Sequence, residues 1–276
     1  MANTKIPVEL SSTPSIIDNG NATAIEINSS EHVTINGDTF INRGTQTSGV
    51  IKLGGTTDGA FVDFDGSSLQ LNTQRDPNTG TFVNTAKSHA SIILQGNNAD
   101  SNIRLYTTNS NNTTATERMR INSGGTVTKP YQPAFWAFND SMMTNVSTGY
   151  TDVNMGGDRY DVGGNFNNSN GQFTAPVTGK YYLEANIGLQ NIPLDAAWLI
   201  IQIQTSNHAY NFSKPTLNWD SGTGGYIHTI SCSTIADMDE NDIAYVRFYQ
   251  YTGTADTDIY GTGGNGYTYF CGYLLG

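Results

Sequence analysis

The stretch GQFTAPVTGKYYLEANIGL, Gly171 to Leu189, reads as strand, turn, strand. Five residues separate Phe173 from Gly179, and Tyr181 follows two positions later. The segment APVTG supplies the turn, where Pro176 fixes φ and Gly179 admits positive φ. Tyr181 and Leu183 then share one face of the next strand, because side chains alternate along a strand. Phe173 and this pair are expected to meet in one core, and an antiparallel sandwich is the fold such a unit builds.

The composition around this stretch points the same way. Of 276 residues only 13% are charged, while 15 are Tyr and 11 Phe. Gly, Asn, Thr and Ser are abundant, and Ala, Leu, Glu and Lys are scarce, which favours strands and turns over helices. The formal net charge of -11 argues against binding to nucleic-acid phosphates, which takes clustered Lys and Arg. It is consistent with simple solubility, and leaves room for divalent cations or cationic partners. Cys232 and Cys271 both fall in predicted strands. Buried free thiols are the expected state, with a bridge as the alternative, and there is no C-x-x-C metal pair. The first residues hold no apolar run of the signal-peptide type, and no apolar stretch is long enough to span a membrane. The expectation is a soluble protein released by lysis.

The chain divides into three regions. Residues 1–24, interrupted by Pro7 and Pro14, read as an extended arm. Residues 25–128 form a train of short alternating runs, among them AFVDFDG, SLQLN, ASIILQG, NIRLYTT and RMRINSGG. Such strands hold too few large apolar groups for a stable core of their own, so copies of the chain are expected to share one. Within this region, Thr108 to Arg118 reads as a polar loop. Pro130 and Pro133 mark a boundary, and residues 129–276 contain all three Trp and most of the Tyr. AYVRFYQY places Tyr245, Arg247, Tyr249 and Tyr251 on one strand face, and Ala244, Val246, Phe248 and Gln250 on the other. The Tyr-rich face is expected to meet another subunit or a ligand.

The opening stretch belongs to a longer pattern. Asp161, Phe166, Phe173, Gly179 and Tyr181 stand at spacings that resemble the globular-head family of the complement recognition subunit, the jelly-roll relatives of tumour necrosis factor. The closing YFCGYLLG and the acidic turn in MDENDIAYVRF are also similar to that family. Leu183 stands where Phe is usual, Met155 replaces an earlier Phe, and Ala185 replaces a later aromatic. The resemblance covers about half of the chain. It implies a jelly roll, a homotrimer and a recognition role. A second, shorter resemblance lies upstream: ERMRINSGGTVTKPYQPAF and RDPNTGTFVNTAKSHASIIL look like bacteriophage tail- and head-fibre segments.

Together these readings give an all-β homotrimer on the virion surface, with residues 25–128 as an intertwined shaft and residues 129–276 as the head. The N-terminal arm is expected to dock on other virion proteins. The head is expected to hold a host-surface glycan or protein through Trp219, Tyr226, Tyr260 and Tyr267, which lie in or beside Gly/Asn/Ser-rich connections. A head-decoration or cement fibre is the alternative. A glycan-cleaving spike is a further one, with Asp63/Asp65, Asp237/Asp239/Glu240 or Asp256/Asp258 as its carboxylates. Each of those clusters also suits an ordinary turn. Asp237, Asp239 and Asn241 have the alternate spacing of the first calcium-loop ligands, but the Gly and late Glu of such a loop are missing. No Ser-His-Asp context or phosphate-binding loop occurs, so no catalytic residue and no cofactor is assigned.

Overall fold

The structure is a computed structural model and describes residues 49–53, 60–64, 68–73, 88–96, 101–108, 114–215, 226–253, 256–263 and 266–276. The chain divides into two units, Met1–Gly49 and Val50–Gly276. Apart from Gly49, the first residue of β1, the described residues belong to the second unit. The expected arm and the first part of the expected shaft lie outside the described residues. Every regular element among the described residues is a strand.

Seven strands build a first sheet in sequence order: β1 (Gly49–Leu53), β2 (Ala60–Phe64), β3 (Ser68–Thr73), β4 (Ala90–Gly96), β5 (Ser101–Thr107), β6 (Thr116–Ile121) and β7 (Val127–Thr128). Thr116 to Arg118, expected in a loop, belong to β6. The reason is pairing: Thr107 stands opposite Thr116, and Tyr106 opposite Glu117, after a register shift. The two faces of this sheet differ in chemistry. Ile92 lies between Leu71 and Leu105, and Leu94 between Leu69 and Ile103. Leu105 and Ile103 continue the face to Met119 and Ile121, and Ile121 to Val127. The opposite face is polar. The Arg104 guanidinium donates to the Tyr106 hydroxyl (3.1 Å) and to Gln95 Oε1. The Tyr106 hydroxyl donates to Glu117 Oε2 (3.1 Å), and Arg120 grips both Glu117 oxygens at 3.0 and 2.8 Å.

The first sheet ends at Thr128, and a sandwich starts at Ala134. One of its sheets has the order β11 (Gly157–Val162), β8 (Ala134–Phe138), β20 (Tyr269–Leu274), β14 (Gly179–Gln190), β19 (Thr257–Thr262), β9 (Ser141–Val146), with β17 (His228–Met238) also along β14. The other runs β12 (Phe166–Asn167), β13 (Gln172–Thr174), β18 (Ile243–Tyr251), β15 (Trp198–Thr205), β16 (Ala209–Pro215), with β10 (Gly149–Asp152) also on β18. β14 organises the first of these sheets. It pairs with β17 from Gly179 to Leu189, and on its other edge with β20 and then β19.

Between the two sheets lies an aromatic core. Phe135 stacks on Phe173 (4.6 Å between centroids) and on Phe166 (5.1 Å), and meets Phe270 edge-on at 5.0 Å. Tyr181 meets Phe173 edge-on at 5.5 Å. Leu183, Ile187, Leu199, Ile201 and Phe248 fill the remainder, all fully buried. Offset and edge-on rings of this kind add to the stability gained by burial alone.

Candidate functional site

The five signature residues converge. The Asp161 carboxylate closes its own loop by accepting from the Asn165 amide (3.0 Å) and the Phe166 amide (2.9 Å). That fixes Phe166 against Phe135. Phe173 is buried beside it, and the Tyr181 hydroxyl donates to the Val177 carbonyl at 2.7 Å, which ties β14 to the turn. Gly179 has a different role from the one expected. It does not adopt positive φ. A Cβ there would stand 2.8 Å from Leu274 Cδ1 and 3.1 Å from the Gly276 carbonyl oxygen. Close approach of the last strand, not backbone conformation, demands glycine.

On the outward side of the sheet containing β14, alternation presents a row of aromatic groups. Phe135 and Ala137 point inward, so Trp136 and Phe138 point out. By the same parity β20 presents Tyr269, Cys271 and Tyr273, and β14 presents Tyr182, Glu184 and Asn186. Trp136 stacks on Tyr269 at 5.5 Å, and Tyr182 meets Tyr273 at 5.4 Å. The Arg159 guanidinium lies 4.6 Å over Trp136. In the middle sits Glu184, whose carboxylate accepts from the Tyr269 hydroxyl (2.6 Å) and the Tyr182 hydroxyl (2.7 Å). These two phenols hold the Glu184 carboxyl below the usual carboxylate range, against the opposing effect of burial. Burial and the same carboxylate push Tyr269 well above the usual phenol range. Burial first, then the Glu184 charge, push the Cys271 thiol up to about 12.

At the end of this face farthest from the chain terminus, two of the expected contact residues meet. Tyr260 and Tyr267 stand edge-on at 5.4 Å. They cover Gly188, where a Cβ would lie 3.0 Å from Tyr267 Cβ, 3.2 Å from Ile227 Cγ2 and 3.4 Å from Tyr260 Cβ. The Tyr267 carbonyl accepts from Asn186 Nδ2 at 2.5 Å. Tyr226 adjoins Ile227 and is 65% exposed. Trp219 lies outside the described residues.

The Tyr-rich strand β18 belongs to the other sheet and faces away from the first aromatic row. Tyr249 packs on Tyr150 at 4.6 Å and neighbours Tyr251 at 6.4 Å. Arg247 lies over Tyr150 at 4.6 Å, with Nε 3.0 Å from Asp152 Oδ1.

Asp237 faces Lys180 across the strands at 3.7 Å. The hairpin is organised by Asp242, whose Oδ2 accepts from the Asp239 amide (2.9 Å) and Asn207 Nδ2 (2.7 Å). Asn241 takes positive φ (73°), as the turn requires. Among the described residues no group of three His, Cys, Asp or Glu is placed to hold a metal ion. Of the other carboxylates, Asp258 staples two loops, accepting from the Asn145 amide (2.8 Å) and Asn191 Nδ2 (2.7 Å). Cys232 and Cys271 are both free thiols.

The architecture defines the class as an all-β jelly-roll module. Residues 134–275 match the C1q domain, and the chain belongs to the C1q-domain family. Among solved structures it is similar to the globular domain of zebrafish complement 1qA protein, at 14% identity and a TM-score of 0.38 over 52% of this chain and 98% of that one. It is also similar to murine APRIL in crystals at pH 8.5 (9% identity, TM-score 0.38) and pH 8.0 (10%, 0.37), each over 52% of this chain and 99% of the other. No curated protein matches the chain.

Sequence reasoning missed Trp136, Tyr182, Glu184 and Tyr273 as a group. The signal was present in the alternation of AFWAF and YFCGY. It could be used only with the register that sets β8, β20 and β14 side by side.

Proposed function

We propose that this chain is a homotrimeric virion fibre protein. Its C1q head self-associates through the face centred on Glu184, and presents its far end to a host-surface glycan or protein. The observation that carries the reading is the row of Trp136, Tyr269, Tyr182 and Tyr273 on the outward side of one sheet. Aromatic groups in such a row are typical of the desolvated centre of an interface. Glu184 suits that setting because its charge already accepts two short hydrogen bonds, so covering it leaves few unsatisfied lone pairs. C1q-domain proteins generally form homotrimers and often bind receptors, which supports both halves of the proposal. The virion setting rests on the fibre-like segments around ERMRI.

The far end holds Tyr226, Tyr260 and Tyr267, which offer ring faces and hydroxyls of the kind that suit sugars and mixed protein contacts. Light scattering on the full chain tests self-association: three protomers are expected, and a monomer refutes it. Tyr182→Glu sets a second charge beside Glu184 and is expected to lower that mass. Labelled full chain is expected to bind host cells, with Tyr226→Ala and Tyr267→Ala reducing retention. Retention on capsids but not on cells would support the decoration alternative instead. Reducing ends released from host polysaccharide would support the cleaving spike.

A further inference from the structure

Self-association through the Glu184 face uses one sheet of the sandwich and leaves the outward face of the other sheet open. Three neighbouring strands build that face. Leu199, Ile201 and Ile203 of β15 point into the core, so Trp198 and Gln202 point out. Register sets Trp198 opposite Tyr251, and Gln202 between Arg247 and Asn211. On β10, Tyr150 stands opposite Tyr249, and Asp152 opposite Arg247. Four rings therefore share one patch with two amides and a paired charge. Trp198, Tyr150 and Tyr251 are 45%, 46% and 51% exposed, and exposed rings grouped in one place mark a binding surface. The rings are held in position. Tyr249 packs on Tyr150 at 4.6 Å and lies nearly parallel to Tyr251, with 19° between their planes, and Arg247 lies over Tyr150. Gln202 is a second, independent observation. It is 3% exposed, its Nε2 donates to Asn211 Oδ1 at 2.6 Å, and its Oε1 has no hydrogen-bond partner. Buried acceptors normally have one.

We infer that this face is a saccharide-binding platform, where Trp198, Tyr249 and Tyr251 receive the apolar faces of pyranose rings and the amides of Gln202 and Asn211 bond their hydroxyls. A sugar ring has an apolar face edged with hydroxyl donors, which matches aromatic rings flanked by amides. A hydroxyl also supplies the donor that Gln202 Oε1 lacks. A dry protein interface would have to bury the Arg247–Asp152 pair, whose Asp152 is largely exposed, and desolvating such charges is costly. A sugar leaves that pair wet. The saccharide is a neutral one. Arg247 is the one cation of β10, β15 and β18, and Asp152 already neutralises it at 3.0 Å. A net charge of -11 disfavours acidic sugars further. Rings already packed together lose little freedom when a ligand settles on them. The inference rests on the self-association proposed above only in taking this face as free of a second copy. The patch is distinct from the Tyr226, Tyr260 and Tyr267 end.

The test is calorimetric titration of the full chain with four neutral probes: maltohexaose, cellohexaose, mannohexaose and N-acetylated chitohexaose. Hexagalacturonate is the acidic control. At least one neutral probe is expected to bind, and the acidic one more weakly. Trp198→Ala and Tyr251→Ala, at half-exposed positions outside the core, are each expected to weaken binding by about tenfold or more, with Tm and mass unchanged. Gln202→Leu keeps the rings and removes the amide, and is expected to weaken binding as well. Tyr131→Ala removes an exposed ring elsewhere and is expected to leave it unchanged. Failure of every neutral probe to bind overturns the inference, and so does binding that survives Trp198→Ala or Gln202→Leu. Binding lost in Tyr267→Ala but kept in Trp198→Ala upholds the far end alone and overturns this site. A lower mass for Trp198→Ala would make the face a contact between copies. Cell retention that is lost in Trp198→Ala but insensitive to every saccharide would make it a site for a protein. Either result overturns the inference. A monomeric full chain that still binds a neutral probe through Trp198 refutes the self-association and upholds the platform.

Discussion

In β14, Tyr181, Leu183, Ala185 and Ile187 point into the sandwich and are fully buried, while Tyr182 and Glu184 between them face out. In β4 the pattern is reversed: Ile92 and Leu94 are exposed, and Ser91 and Ile93 between them are covered. Both strands alternate with period two, so periodicity alone does not separate them. What differs is whether the same chain supplies a second layer. The sandwich has one. The seven-stranded sheet has none on its apolar side among the described residues.

The largest effect is expected from damage to the sandwich core. Phe135 touches Phe166, Phe173 and Phe270, so Phe135→Ala removes a ring from the centre of four. The expected cost is about 3–5 kcal/mol, seen as a large fall in Tm at any protein concentration. Ile92→Ala, at a largely exposed position of the first sheet, is expected to cost far less. A Phe135→Ala protein that melts like the parent would mean that the aromatic cluster does not hold the sandwich together.

Next in size is Asp161→Ala, which leaves two backbone amides without their carboxylate. Bonds to a charged acceptor are worth about 1.5–3 kcal/mol each, and water reaching this half-buried loop offsets part of that. A net loss of about 2 kcal/mol is expected by denaturant unfolding. Asp161→Asn keeps one acceptor and is expected to lose less. This residue also shows why part of the fold is readable from sequence. Asp161, Phe166, Phe173 and Tyr181 each make a local contact or a core contact that few other residue types satisfy, so their spacing survives as a pattern. Gly179 belongs to that pattern for a reason the local sequence does not carry, since its need for glycine arises from Leu274 and Gly276, nearly a hundred residues away. The row with Trp136 and Tyr182 is not readable, because outward and inward positions depend on which strands become neighbours. Tyr260 and Tyr267 stand out by loop composition alone, and their joint cover over Gly188 is a fact of register between β14 and β19. The start of β6 escapes a sequence reading because Thr116 and Glu117 look like loop residues until Thr107 and Tyr106 pair with them.

Two carboxylates, one in each region, tie the stability of the two regions to pH. Arg120 holds Glu117 below the ordinary value of 4.5, with Tyr106 assisting. Tyr269 and Tyr182 do the same for Glu184. A carboxylate with a depressed folded-state pKa stabilises the fold fully above its unfolded value and loses that contribution as pH falls through the folded one. Stability is therefore expected to be flat above about pH 5 on this account and to decline below about pH 4.5. Glu184→Gln is expected to flatten the acid limb measured on the sandwich by near-UV signals. Glu117→Gln is expected to flatten the limb measured by exchange of β5 and β6 amides. If either variant flattened both limbs equally, the two regions would be one cooperative unit.

A smaller effect tests the Glu184 face chemically. The Cys271 thiol, normally near 9.0, is pushed up to about 12, so its thiolate fraction at neutral pH is lower by roughly a thousandfold. Alkylation by iodoacetamide, followed by mass spectrometry, is expected to be far slower in the folded chain than in urea. Glu184→Gln removes a neighbouring charge and is expected to speed it, though burial continues to restrain it. Alkylation of folded Cys271 at the rate of an exposed thiol would mean that the centre of the aromatic row is neither covered nor desolvated.

The smallest expected effect comes from the Lys180–Asp237 pair. Its groups are 3.7 Å apart, with side chains 63% and 77% exposed, so solvent screening leaves little of the attraction. Exposed pairs of this kind contribute about 0–1 kcal/mol, and Asp237→Asn is expected to shift Tm within the error of the measurement. The same substitution bears on the calcium reading. Asp237 looks outward from β17, whereas Asp239 enters a hairpin that Asp242 already closes through the Asp239 amide and Asn207. A cation recruited there would have to compete with those bonds, and added calcium is expected to leave the Tm of parent and variant equal. A calcium-dependent rise lost in Asp237→Asn would mean that the turn opens to bind, and the hairpin would then belong with the functional surfaces.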